Sequence, residues 1–135
     1  MPSARSVLAA VLLAGALTAT VAGCGSERVP ASPCRVDDRL VGGDRTALLE
    51  SCERAVPAVR QVWPQWSPAV DITRAPSPLP GGIAAQVQGE GREGEPTTGD
   101  RLVVAPGLTE QLSSAGLDIV LRHELTHLAM RSTGT

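Results

Sequence analysis

The 135-residue chain has no lysine, no tyrosine and no phenylalanine, and its only large aromatic side chains are two tryptophans. Its 12 basic residues are all arginine and face 14 Asp and Glu, leaving a net charge of −2. Without a basic excess there is nothing to neutralise a phosphate backbone, so nucleic acid is excluded as a partner. Without Phe and Tyr the core has to be built from Val, Leu, Ile and Ala around the two Trp, and it will be lean. The length allows one ordinary domain. No internal repeat is visible, and 14 Gly and 11 Pro predict long irregular stretches between few regular elements.

Charge and apolar residues are unevenly placed at the start. Arg5 precedes an almost wholly apolar run over residues 7–17, and small residues follow up to Cys24. This is the layout of a secretory signal peptide over 1–23. A membrane-spanning anchor is the alternative, but Gly15, Thr18 and Thr20 break the run before it reaches the roughly 20 apolar residues a span needs. Val21-Ala22-Gly23-Cys24 resembles the lipobox of bacterial lipoproteins. That resemblance implies that Cys24 becomes the lipidated N-terminus and holds a soluble domain at the extracytoplasmic face of the cell membrane. Removing Cys24 from the three cysteines leaves Cys34 and Cys52, an even pair in an oxidising compartment, and a disulfide between them is expected. Two unrelated thiols are the alternative.

Residues 24–43 are expected to be the lipidated cysteine and a flexible tether, and 44–135 the folded part. In the latter, Leu48, Leu49, Cys52, Ala55, Val56, Val59, Val62 and Trp63 recur at three- and four-residue steps and predict one apolar helical face. Asp44 is the expected cap, Pro64 the stop, and Pro57 should kink the helix or divide it into two short ones. Residues 69–73, 82–88 and 101–105 read as strands, with a polar loop over 89–99. A second helix is expected from Ser114 to about Met130, with Leu117, Val120, Leu121, Leu125 and Leu128 inward and Ser113 or Ser114 as N-cap.

Both histidines of the chain fall in that helix, in His123-Glu124-Leu125-Thr126-His127. Side chains at i and i+4 leave one side of a helix a turn apart, so two imidazoles so spaced can reach one metal ion. Glu124 is angled off the ligand line, where a carboxylate can act on water instead of binding the metal. The expected division of labour is His123 and His127 as Zn2+ ligands and Glu124 as the catalytic base, with a peptide or protein as substrate.

The segments 99–104 and 121–129 resemble the strand and active-site helix of zincin metallopeptidases, specifically the gluzincin type with a peptidase-MA-like domain found in actinobacterial lipoproteins. The metzincin pattern is excluded, because it would require Gly at Met130 and His at Thr133. The gluzincin resemblance implies a third ligand, a Glu, on a helix well downstream of the second His. The chain stops at Thr135, so that ligand is expected beyond it and the chain is expected to be a fragment or an impaired form. Asp100 and Asp118 are the stand-ins within the chain. The resemblance also implies that strand 101–105 borders the cleft; as an edge strand it would align an extended peptide, but its three consecutive apolar residues fit an interior strand equally well.

These readings combine into an α+β fold, zincin-like in its N-terminal part. It would comprise a kinked helix or helix pair, a mixed or antiparallel sheet of about three strands, and the histidine helix packed on it. The expected function is peptide-bond hydrolysis by a membrane-anchored zinc metallopeptidase. The rivals are a non-catalytic lipoprotein that uses the same scaffold for binding or structure, and a metal-binding surface protein without hydrolytic chemistry.

Overall fold

The computed structural model describes residues 31–89 and 99–135. The expected signal peptide, the Cys24 lipidation site, the start of the tether and most of the 89–99 loop lie outside the described residues. The fold is α+β: four strands in one mixed sheet, β1 (Cys34–Val36), β2 (Val70–Arg74), β3 (Ala85–Gln88) and β4 (Arg101–Val104), with helices α1 (Gly42–Val62), α2 (Leu108–Gln111) and α3 (Ser114–Thr133). Strand order is β1-β2-β4-β3, with β1, β2 and β4 parallel and β3 antiparallel to β4.

Alternation along the strands decides the two faces. Val70 and Ile72 of β2 and Leu102 and Val104 of β4 point one way into the core, where α1 and α3 bury Leu48, Cys52, Val56, Leu121 and Leu125 against them. The opposite face carries Arg35, Asp71, Arg101 and Gln88 in one row, and Thr73, Val103 and Gln86 in the next. Among the described residues no helix covers that face. Ala75 and Leu79, from the proline-rich segment after β2, pack only on Val103 and Ala105 there.

Three local expectations are corrected, and one left open is decided. The folded part begins at β1, before the expected boundary at Asp44, because Cys34–Val36 pairs with β2 and buries Cys34 and Val36. Three residues flanked by Pro and Asp carry too little periodicity to be read as a strand. Helix α1 is one continuous element through Pro57, not a pair. The carbonyl that Pro57 leaves without a donor belongs to Glu53, and both residues are exposed, so water satisfies it at little cost. Asp44 is not the cap: Val41 is, without a side-chain bond, and the Asp44 carboxylate in the first turn accepts a hydrogen bond from the Thr109 hydroxyl. Finally, β4 is an interior strand between β2 and β3, so the open edge on that side of the sheet belongs to β3.

Helix α3 follows the expected plan. The Ser113 hydroxyl accepts from the Gly116 N–H at 3.1 Å, and Gly134 closes the helix in the left-handed region at φ 72°. Cys34 and Cys52 form a disulfide that ties β1 to the middle of α1.

Candidate metal centre

Helix α3 presents Leu117, Leu121, Leu125 and Leu128 to the core, which fixes its rotation and leaves His123 and His127 on the solvent side. Their rings meet edge to face, with centroids 4.7 Å apart and Nε2 atoms 3.1 Å apart. Two nitrogens bound to one ion at about 2.0–2.1 Å with tetrahedral geometry stand about 3.3 Å apart, so this pair is spaced for a shared zinc ion.

Glu124 is half-buried beside them, under the rim of β3. Its carboxyl is raised above the ordinary value by burial, opposed by the two neighbouring imidazoles and by a hydrogen bond from the Val87 backbone N–H. The direction of that N–H follows from register. Ala105 N–H bonds to Ala84 C=O, so alternation along the antiparallel ladder turns the amides of Gln86 and Gln88 toward β4 and those of Ala85 and Val87 toward the open edge. The histidines, the glutamate and an open strand edge therefore come together around the middle of α3.

Neither stand-in carboxylate belongs to this group. Asp118 faces α1, where its Oδ1 accepts from the buried Ser51 hydroxyl at 2.5 Å and from Arg54 at 2.9 Å. Asp100, buried at the start of β4, receives Arg131 Nε at 2.7 Å. Arg131 also reaches the Gly89 carbonyl, so one side chain of α3 holds both ends of the β3–β4 connection. Gly89 is required there, since a Cβ would overlap the Asp100 carboxylate. Among the described residues no three His, Cys, Asp or Glu side chains are grouped to hold one metal ion. The residues present fit zinc as two ligands of an incomplete set.

The Arg54 and Ser51 bonds hold the Asp118 carboxyl below its usual range, Arg54 first. A depressed folded value gives stability that is present above the unfolded pKa of about 3.9 and is lost as pH falls through the folded value. Asp118→Asn should cost about 1 kcal/mol at neutral pH, because the pair is partly exposed and the amide oxygen still accepts from Ser51. Denaturant melts from pH 7 to pH 3 should show the variant and the wild type converging in acid. A constant gap would exclude the charge as the cause.

Sequence reasoning located the histidines and Glu124 but not Val87, whose role depends on a backbone direction that only the β3–β4 register supplies. No family model, curated protein or solved structure matches this chain.

Proposed function

We propose that the chain carries the core of a zinc-dependent peptidase site: His123 and His127 as metal ligands, Glu124 as general base, and β3 as the strand that aligns the peptide. The observation that carries this reading is the convergence of both Nε2 atoms, 3.1 Å apart, next to a half-buried carboxylate. Zinc bound there supplies the Lewis acidity that makes water nucleophilic near neutral pH. Glu124 takes the proton from the attacking water and delivers it to the departing amine. Its partial burial favours the second half of that exchange, since desolvation holds the proton more tightly. The outward N–H and C=O groups of Ala85 and Val87 pair with an extended main chain, so alignment depends little on substrate sequence. A docking peptide would compete with Glu124 for the Val87 N–H.

The reading extends to location: a lipidated Cys24 places this domain at the extracytoplasmic face of the membrane, with the gluzincin type as its family and a downstream Glu as its third ligand. The incomplete ligand set among the described residues favours a second reading, a non-catalytic module that retains the scaffold for binding. Zinc titration combined with a general peptidase assay separates the two. The 135-residue chain is expected to bind zinc only weakly, since each missing protein ligand removes binding energy. A longer chain that supplies a Glu as third ligand is expected to bind tightly and hydrolyse peptides. An extended chain that binds zinc without turnover establishes the non-catalytic module, and one that binds none removes the metal site altogether.

A further inference from the structure

Helix α3 grips the β3–β4 ribbon a second time, beyond the histidines. Arg131 follows His127 by four residues, so its side chain leaves the helix one turn further along the same side. Its Nε donates to Asp100 Oδ2 at 2.7 Å and its Nη2 to Oδ1 at 3.3 Å, a two-pronged hold on a carboxylate whose side chain is only 3% exposed. Nη2 also stands 3.5 Å from the Gly89 carbonyl oxygen. Gly89 and Asp100 adjoin Gln88 and Arg101, the pair that ends the β3–β4 ladder, so the hold falls at the end of the ribbon. Two residues back along β3 and seven back along α3 is the bond from the Val87 N–H to Glu124. Strand β3 itself has little else to fix it: it is four residues long, Ala85 is its one buried residue, and among the described residues β4 is its one strand neighbour.

We propose that Arg131 is a positioning residue: by clasping Asp100 and the Gly89 carbonyl it holds the β3 edge at the distance from α3 at which Val87 meets Glu124. In the peptidase reading above, on which this role rests, the edge that aligns the peptide and the helix that carries the metal ligands and the base must keep one spacing, and an error of about 1 Å is costly. The Val87–Glu124 bond cannot set that spacing alone, because a docking peptide competes for the same N–H. The clasp can. It is charge-assisted, its acceptor is shielded from water, and it lies past the last paired residues, where it does not compete for the groups that Ala85 and Val87 offer to a peptide. Arg131 touches neither the histidines nor Glu124, so it acts through the placing of β3 and leaves the metal ligands to α3.

The test is residue-resolved amide hydrogen exchange on the folded chain, with zinc uptake measured on the same samples. Arg131→Ala should speed exchange at Val87 by about tenfold, toward the rate seen in Glu124→Ala, while the amides of the β2–β4 ladder keep their wild-type rates. Adding Glu124→Ala to Arg131→Ala should speed Val87 little further, since both changes undo the same bond. Arg54→Ala, which breaks the ion pair between α1 and Asp118 away from β3, should leave Val87 unchanged. Should Arg131→Ala loosen the whole domain by leaving the Asp100 carboxylate buried without its partner, Arg131→Lys decides. A lysine meets Asp100 with a single point of charge and lacks the fork that also reaches Gly89, so Val87 should then exchange at an intermediate rate with the ladder unchanged. The inference is overturned if Val87 keeps its wild-type rate in Arg131→Lys and Arg131→Ala, if the ladder amides speed up as much as Val87 in both, or if Arg54→Ala frees Val87 equally. Zinc uptake reports on the other reading: the arginine variants should take up as much as the wild type, and a wild type that takes up none removes the peptidase site whatever Val87 does.

Discussion

On the proposed metal-site reading, replacing either His123 or His127 with alanine is expected to abolish zinc binding, the largest single effect in the protein. With two protein ligands at 3.1 Å spacing, removal of one leaves a lone exposed imidazole, which holds zinc no better than a free histidine in solution. Glu124→Gln should behave differently. Its carboxylate lies off the ligand line and is shared with the Val87 N–H, so the amide should spare the metal while removing turnover from a chain extended to a full ligand set. Zinc retained per chain after gel filtration, together with peptide hydrolysis, distinguishes these outcomes. Equal zinc loss in all three variants would make Glu124 a ligand and remove the base from the mechanism. The folded state is a built-in control: all three side chains lie outside the leucine face of α3, so thermal stability should change little.

Opening the Cys34–Cys52 bond should have the largest effect on stability. The bond spans 18 residues, and in the chain-entropy model such a loop is worth about 3 kcal/mol. For a domain of this size that corresponds to a fall in melting temperature of about 15 °C. The consequence is concentrated in one place. Strand β1 is three residues long and, among the described residues, has β2 as its one strand neighbour, so the bridge to α1 is what keeps it docked. In Cys34→Ala/Cys52→Ala, amide exchange in β1 should rise first while β2, β4 and α3 stay protected. Reductant should lower the melting temperature of the wild type and not that of the double variant. If the variant melts with the wild type, the bridge is dispensable and the core alone holds β1.

The elements that could be read in advance were those whose apolar residues repeat locally. The apolar steps from Leu48 to Trp63 predicted α1, although Val62 turned out exposed, and Leu117, Val120, Leu121, Leu125 and Leu128 predicted α3, because a helix is coded within a turn or two of its own sequence. The cysteine pairing followed from counting, and the histidine pair from spacing on a helix. The strand β1 and the four-residue α2 were missed because neither is long enough to show a period. The break expected at Pro57 did not occur, since the lost hydrogen bond fell on the solvent side, a fact about the helix's orientation in the fold.

Local sequence therefore determined the helices, the bridge and the placing of His123 and His127 a turn apart on one helix. Tertiary structure decided which strand lies at the edge, that Asp118 and Asp100 are bound by Arg54 and Arg131, and that Val87 meets Glu124. The physical reason is separation along the chain: a helix places i and i+4 together by its own geometry, whereas partners such as Ser51 and Asp118 meet only when the whole sheet and both helices have closed around the core.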